Sequence, residues 1–153
     1  MRGEDKVMKR VYVDEKWCLG CHLCEYNCAF ANSGLKDMAY LKNKAIYPRI
    51  HIEGEGQVSF AVSCRHCVDP ICVKSCIASA LSKSADGVIK VDQNRCVGCL
   101  TCVLVCPYGA LMPNEKGVMQ KCELCLENAC GQPACVSGCP NKAIVYEERG
   151  DVL

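Results

Sequence analysis

Cysteine is the residue of this 153-residue chain most suited to chemistry, because sixteen of the seventeen cysteines fall into four regularly spaced groups. The groups are Cys18, Cys21, Cys24 and Cys28; Cys64, Cys67, Cys72 and Cys76; Cys96, Cys99, Cys102 and Cys106; and Cys122, Cys125, Cys135 and Cys139. The third group, followed by Pro107, has the spacing C-x2-C-x2-C-x3-C-P of bacterial 4Fe-4S proteins, and the first differs only by Ala29 in place of the proline. This spacing predicts iron–sulfur chemistry, which is the exchange of single electrons.

The same spacing indicates how the groups cooperate. Three closely spaced cysteines lie on one curled loop, whereas the fourth lies on the following short helix and binds a different cluster. The groups must therefore work in pairs, and sixteen cysteines provide four 4Fe-4S clusters with four ligands each. The remaining cysteine is Cys130 or Cys135, and Cys135 is the preferred ligand because it preserves the Cys-x3-Cys-Pro ending.

Three other uses of the cysteines fit the sequence less well. A disulfide framework needs an oxidising compartment, and the odd number of cysteines leaves one thiol unpaired. The C-x2-C pairs of the second and fourth groups could each begin a zinc site, but zinc does not explain the two C-x2-C-x2-C-x3-C runs. The stretch Cys18–His22 matches the haem-attachment motif C-x-x-C-H, but haem would leave Cys24 and Cys28 without a role.

The composition excludes several classes of protein. Cysteine makes up about 11% of the chain, above the roughly 8–10% of cysteine-based frameworks, and two Phe and one Trp cannot build an aromatic core. A net charge of +1 without a basic patch argues against nucleic-acid binding. No apolar run reaches the roughly 20 residues of a membrane span, and the charged N-terminus does not resemble a secretory signal. We therefore expect a cytoplasmic protein without direct membrane insertion.

Short strands and short helices should hold the cysteine groups. Alternating apolar residues and turn residues such as Asp86-Gly87 predict a leading strand, several hairpins and a final strand. The predicted strands cover 10–14, 45–47, 49–52, 58–62, 80–82, 87–91, 110–112, 117–119 and 143–146, and the predicted helices 25–32, 73–78, 103–105 and 136–138. This pattern favours an α+β fold.

Several other side chains adjoin the cysteine groups. Arg65, Arg95 and Lys121 each neighbour a candidate ligand, where a cation either raises the potential of a cluster or is simply solvated at the surface. His66 lies between two candidate ligands, and we expect it to support or pack beside a cluster that already has four thiols. We expect Tyr108 to pack over the edge of a cluster.

Together these motifs resemble those of the four-cluster iron–sulfur subunits that accompany dimethyl sulfoxide reductase, nitrate reductase and formate dehydrogenase. The resemblance extends from about Arg10 to Tyr146. Its specific residues, besides the four groups, are Cys64-Arg65-His66-Cys67, Cys106-Pro107-Tyr108-Gly109-Ala110, Lys121-Cys122-Glu123-Leu124-Cys125 and Pro133-Ala134-Cys135-Val136. The chain is more similar to the short, soluble branch, which includes the electron-transfer proteins of formate hydrogenlyase, CO dehydrogenase and tungsten aldehyde oxidoreductases. One departure is Ile77, which stands where the family usually has proline.

The resemblance implies which cysteines share a cluster. The implied ligand sets are Cys18, Cys21, Cys24 and Cys139 (set A); Cys28, Cys122, Cys125 and Cys135 (set B); Cys64, Cys67, Cys72 and Cys106 (set C); and Cys76, Cys96, Cys99 and Cys102 (set D). It also implies two bacterial-ferredoxin-like two-cluster units, in which short β-hairpins and short helices wrap the clusters. One unit comprises residues 1–60 and 120–153, and the inserted unit comprises residues 61–119.

The implied function is that of a non-catalytic electron-transfer subunit with four 4Fe-4S clusters. Its partner would be a large catalytic redox subunit with tungsten, molybdenum or nickel: an aldehyde or formate oxidoreductase, a CO dehydrogenase or a hydrogenase. A further electron-transfer protein is a second candidate partner. The alternative is a free, diffusible polyferredoxin, and a zinc-binding module is a more distant one. The sequence contains no catalytic constellation, phosphate-binding loop or flavin fingerprint.

Overall fold

Short strands and short helices alternate along the chain, as the sequence predicts. The computed structural model describes residues 8–128 and 131–149, so Cys130 lies outside the described residues. The strands are β1 (Lys9–Val13), β2 (His51–Glu55), β3 (Val58–Val62), β4 (Leu81–Lys83), β5 (Ile89–Val91), β6 (Met112–Pro113), β7 (Met119–Gln120) and β8 (Ile144–Glu148). The helices are α1 (Leu23–Ala31), α2 (Ile71–Lys74), α3 (Thr101–Val105) and α4 (Ala134–Ser137), with a 3-10 helix at Met38–Leu41. The α+β class is confirmed.

The strands within residues 8–128 and 131–149 pair into four two-stranded antiparallel sheets. Three of these sheets are local hairpins, β2–β3, β4–β5 and β6–β7. The fourth joins β1 to β8, with Val11 opposite Tyr146. This pairing brings the segment before the first cysteine group next to the segment after the fourth.

The four α-helices share one feature, which is a buried cysteine as the second residue. These cysteines are Cys24, Cys72, Cys102 and Cys135. Helices α2 and α4 begin directly after Pro70 and Pro133, whose fixed φ angle suits a first helical turn. Helices α1 and α3 follow the left-handed residues His22 (φ 62°) and Leu100 (φ 61°). Helix α1 packs against α4, and α2 packs against α3. Each pair therefore combines a helix that begins after a proline with a helix that follows a left-handed residue.

Cysteines form a large part of the protein's interior. The larger core cluster joins aliphatic residues such as Val11, Ile50 and Ile144 to Cys24, Cys28, Cys64, Cys122 and Cys135. The smaller cluster joins Leu81, Ile89, Leu111 and Met119 to Cys72 and Cys102. Neither cluster contains a buried Phe or Trp. The interior is therefore centred on thiols, as the composition predicts.

Two local predictions were wrong, and the strands expected at 110–112 and 117–119 are short strands at Met112–Pro113 and Met119–Gln120 that overlap the predicted ranges by one residue each. Residues 45–47 form no strand, because the backbone in this region bonds to side chains: the carbonyl of Tyr47 accepts a bond from Gln120 Nε2 at 2.8 Å, and the N–H of Arg49 donates to Cys28 Sγ at 3.2 Å. The helix expected at 73–78 begins two residues earlier and ends at Lys74, because Pro70 sets its start.

None of the helices in the described part of the chain has the length and apolar character of a membrane span.

Candidate metal centres

The cysteines of set A line an open pocket. They are Cys18, Cys21, Cys24 and Cys139, and apolar side chains such as Ile52 and Ile144 form much of the remaining wall. Cys24 is buried, whereas Cys21 is exposed. Burial raises the pKa of the Cys24 thiol to about 12, and the negative charge of Glu25 adds to the rise. Such a thiol keeps its proton at neutral pH until a metal displaces it.

Set D lines a similar open pocket. Its members are Cys76, Cys96, Cys99 and Cys102, and the pocket is also lined by Leu81 and Met119. Burial raises the pKa of Cys102, and the neighbouring Cys76 and Cys96 add to the rise. Cys99 is exposed, and its pKa is lowered by a hydrogen bond with Thr101, whose Oγ1 lies 3.4 Å from the sulfur.

Set B lies deeper in the protein. Of its four members, Cys28, Cys122 and Cys135 are buried and Cys125 is half-buried. Burial raises the pKa of Cys135, and the charges of Cys122, Cys28 and Cys125 raise it further. Burial likewise raises the pKa of Cys122 to about 12. The thiols of this set are therefore close enough to influence one another electrostatically.

Set C is also largely enclosed. Cys64 and Cys72 are buried, and Cys67 and Cys106 are half-buried. Burial raises the pKa of Cys72 to about 11, with further contributions from Cys64 and Cys106. The pKa of Cys67 rises for the same reasons, led by burial. The structure thus brings together the members of every set, while their binding of a shared cluster stays a prediction.

Backbone N–H groups donate hydrogen bonds to a cysteine sulfur in each of the four sets. The donor–sulfur distances are 3.3 Å for Ala143 to Cys139, 3.2 Å for Arg49 to Cys28, 3.4 Å for Leu124 to Cys122, 3.4 Å for His66 to Cys64, 3.3 Å for Ala80 to Cys76 and 3.4 Å for Met119 to Cys96. Such bonds favour the thiolate over the thiol. They are also one of the means by which proteins tune cluster potentials.

The donor sets fit iron–sulfur clusters. Within residues 8–128 and 131–149, no three His, Cys, Asp or Glu side chains are arranged to hold a single metal ion. The thiols of sets A and D line open pockets, and these soft ligands with largely apolar walls suit a cluster of several atoms.

The basic side chains singled out from the sequence have different environments. Lys121 is only 1% exposed, so the surface interpretation is wrong for this residue. Arg65 and Arg95 are exposed. The guanidinium of Arg65 lies 4.2 Å from the ring centroid of Tyr108, so this tyrosine packs against a cation.

His66 is fully buried between two members of set C. Its Nδ1 accepts a hydrogen bond of 3.0 Å from the N–H of Ile89. Burial, together with the charges of Lys121 and Arg10, lowers the pKa of His66 well below its ordinary value. The neutral ring therefore carries its proton on Nε2, which is buried with no hydrogen-bond partner among the described residues. This environment agrees with a supporting role beside four thiols.

Sequence reasoning missed the bond between Lys121 and β5. The Nζ of Lys121 donates to the carbonyl of Ile89 and, at 2.8 Å, to that of Cys122. Ile89 therefore binds Lys121 through its carbonyl and His66 through its N–H. No local signal could have revealed this link, because Ile89 is 32 residues from Lys121 in the chain.

Comparison with known proteins identifies a domain family and several relatives that match this chain. The family model described as a 4Fe-4S dicluster domain matches residues 57–151. The electron transport protein HydN of Escherichia coli strain K12 is 34% identical over 155 residues, which cover 91% of this chain and 87% of HydN. YnfG of the same strain, which bears the name "probable anaerobic dimethyl sulfoxide reductase chain", is 36% identical over 152 residues, covering 88% of this chain and 71% of YnfG. UacF of that strain is 37% identical over 134 residues, and this chain spans only 20% of its length.

Proposed function

Because this chain belongs to the 4Fe-4S dicluster domain family, we propose that it relays single electrons through four such clusters to or from a catalytic redox subunit. The family and relatives such as HydN establish the coarser statement, that this is an iron–sulfur protein of electron transport. The number of clusters, their ligands and the partner belong to the proposal. UacF, whose name includes the term oxidoreductase, is far longer than this chain and does not define its activity.

The observation that carries the proposal is the grouping of sixteen thiols into four sets of four. Each set combines three cysteines of one group with one cysteine of another, as expected where groups work in pairs. Bound clusters would each accept and release one electron. The protein's own contribution is to fix four thiolates per set, to donate N–H bonds to the sulfurs and to surround them with apolar walls.

The contacts between sets support the order A–B–C–D. Cys24 of set A and Cys135 of set B lie in the larger core cluster together with Cys64 of set C and Cys122 of set B. Cys24 contributes to the raised pKa of Cys135, and Cys64 contributes to that of Cys122. Sets C and D share the smaller core, which contains Cys72 and Cys102. The exposed ligands Cys21 and Cys99 then belong to the two outer sets. Electrons would enter at one outer set and leave at the other.

Two ferredoxin-like units, residues 1–60 with 120–153 and residues 61–119, remain part of this proposal. The packing of α1 on α4 and of α2 on α3 supports the division, as does the pairing of β1 with β8. The larger core, however, contains Val11 and Ile144 from the first unit together with Val88 and Ala110 from the second. We therefore propose that the two units fold as neighbours with a shared interior.

Apolar side chains beside the outer sets support docking to protein partners. The three most exposed large apolar side chains of the described residues are Leu104 (83%), Ile77 (76%) and Val97 (69%). Ile77 and Val97 directly follow Cys76 and Cys96 of set D, and Leu104 lies two residues after Cys102. Trp17 and Leu19 are exposed on either side of Cys18 in set A. Isolated exposed apolar residues are common, but three that lie within two residues of set D cysteines in the sequence favour an interaction site there.

We propose a cytoplasmic catalytic partner that contains tungsten, molybdenum or nickel. The name of YnfG, which links it to an anaerobic dimethyl sulfoxide reductase, supports a partner of the redox-enzyme class. The test is anaerobic co-purification of the tagged chain from its source cells, with all metals quantified in the same sample. We expect a stoichiometric large subunit that carries one of these metals. A brown protein that runs alone with iron only would contradict the subunit proposal and favour a diffusible polyferredoxin.

A further inference from the structure

Lys121 is a buried cation without a carboxylate partner. Its ammonium group donates to the carbonyls of Ile89 and Cys122, and no Asp or Glu forms an ion pair with it among the described residues. Two neutral carbonyls do not balance a full positive charge inside a protein, where an unpaired ion is costly. A negative charge of another kind is needed nearby.

The four-thiolate sets can provide this negative charge. An oxidised 4Fe-4S core carries a charge of about +2, so four thiolates leave a net charge of about −2 on the assembled site, and one added electron makes it about −3. Lys121 is joined to Cys122 of set B by sequence and by its hydrogen bond.

A second chain of contacts leads from Lys121 to set C. Ile89 accepts from Lys121 and donates to His66, and the N–H of His66 donates to Cys64 Sγ at 3.4 Å. This path connects Cys122 of set B with Cys64 of set C through buried groups. Lys121 therefore lies at the junction of the two inner sets, where solvent does not screen its charge.

Arg95 has a similar position in sequence but not in structure. It directly precedes Cys96 of set D, as Lys121 directly precedes Cys122 of set B. Arg95 is exposed, whereas Lys121 is buried. Water and salt weaken the effect of an exposed charge on a neighbouring site far more than that of a buried charge. The two residues therefore form a matched pair for experiment.

We propose that Lys121 is the shared counter-cation of sets B and C and makes the two inner clusters easier to reduce than they would be without it. This inference rests on the proposed function, since it assumes four bound clusters. The favoured step is the addition of one electron to an inner cluster, supplied by the redox partner. The charge of Lys121 stabilises the more negative, reduced state. Lys121 thereby acts as a positioning and tuning residue that binds no iron.

The test is a redox titration of the intact, anaerobically purified protein, followed by electron paramagnetic resonance. Lys121→Met removes the charge with little change of shape, Lys121→Arg keeps the charge, and Arg95→Met is the matched control. Cys122→Ser and Cys72→Ser identify the signals of sets B and C. We expect Lys121→Met to shift two of the four reduction steps to lower potential. Lys121→Arg should leave those two steps closer to wild type, and Arg95→Met should not move them.

The possible outcomes separate this inference from the proposed function. Full iron content with four unshifted steps in Lys121→Met, or an equal shift of all four, would overturn the role of Lys121 and leave the proposed relay intact. If Lys121→Met loses iron, Lys121→Gln is titrated instead, because its amide can still donate to a carbonyl without a charge. Loss of iron from both neutral variants, but not from Lys121→Arg, would assign the charge to assembly and overturn the tuning role. A wild-type protein without four clusters would contradict the proposed function itself.

Discussion

Cys102 and Cys130 lead to opposite predictions at the scale of single residues. Cys102 is buried in α3 beside Cys76 and Cys96, and we assign it to set D. Serine offers iron a harder oxygen donor in place of a soft thiolate. Cys102→Ser should therefore lose one cluster of four, or roughly a quarter of the iron, whereas Cys130→Ser should keep all of it. Iron and sulfide analysis of the anaerobically purified proteins measures the difference. Equal losses from both variants would overturn the ligand assignment.

The candidate ligands could be predicted from sequence because a cubane cluster imposes its geometry on a short stretch of chain. The runs that contain Cys18 and Cys96 report that geometry directly through their spacing. Lys121 and His66 could not be predicted in the same way. Their common partner is Ile89, and it is the tertiary fold that brings all three together in the interior. The sequence could only identify Lys121 and His66 as neighbours of candidate ligands.

Backbone conformation in the ligand loops leads to a prediction at the scale of elements. Gly98 and Gly117 both have positive φ angles, of 70° and 73°. A Cβ atom at Gly98 would lie 2.8 Å from the carbonyl oxygen of Gly117, whereas one at Gly117 meets nothing within 4 Å. The left-handed conformation should destabilise both alanine variants by roughly 1–2 kcal/mol. Only Gly98→Ala also forces the loop of set D away from the backbone at Gly117.

We therefore expect Gly98→Ala to lose the cluster of set D and Gly117→Ala to retain four clusters. Iron content and electron paramagnetic resonance of the two proteins provide the measurement. Because the two variants share the unfavourable φ angle, a difference between them isolates the contact between the two loops. Equal iron contents in the two variants would show that the loop accommodates the extra methyl group.

The packing of α1 against α4 leads to a second prediction at this scale. A Cβ atom at Gly138, at the end of α4, would overlap the side chain of Asn27 on α1. Asn27 Nδ2 also donates to the carbonyl of Leu23 at 2.8 Å, so moving the amide breaks that bond. Gly138→Ala should destabilise the protein by about 1–3 kcal/mol, as overpacking does elsewhere.

The double variant Asn27→Ala with Gly138→Ala should recover part of this loss, because the overlapping amide is gone. Loss of clusters is irreversible, so the suitable measurement is the rate at which visible absorption bleaches at a fixed elevated temperature. We expect the fastest bleaching in Gly138→Ala and an intermediate rate in the double variant. Additive effects of the two substitutions would contradict direct packing between these helices.

The sequence predicted local elements better than distant pairings. The β4–β5 hairpin was predicted from Asp86-Gly87 because a short turn depends on residues close together in the chain, here closed by the N–H of Gly87 donating to the carbonyl of Ser84 at 2.9 Å. Strands β1 and β8 were each predicted, but their pairing was not, because they lie at opposite ends of the chain. The strand expected at 45–47 failed for a tertiary reason, since bonds to Gln120 and Cys28 replace a strand partner in that region.

Charge and folding are linked at the scale of the whole molecule. The formal charge of +1 becomes about −7 once sixteen thiolates and four oxidised cores are included. The buried thiols have raised pKa values, as for Cys24 and Cys122, so each must release a proton when iron binds. Both hydrophobic cores also contain these thiols. Cluster binding and folding should therefore be coupled, with the clusters at the centre of the folded interior.

The end of the molecule that contains set D should bind the catalytic partner. Leu104 is the most exposed large apolar side chain among the described residues, and it lies on the same short helix as Cys102. A charge at this position would be buried against the partner without a counter-ion, so Leu104→Glu should weaken binding at least about tenfold, or about 1.4 kcal/mol.

Tyr40→Glu is the control, because Tyr40 is 62% exposed but lies in the spacer between the first two cysteine groups. Both variants should keep their full iron content, and the anaerobic co-purification assay compares how much partner each retains. Full retention by Leu104→Glu together with loss from Leu19→Glu would place the docking site at set A instead.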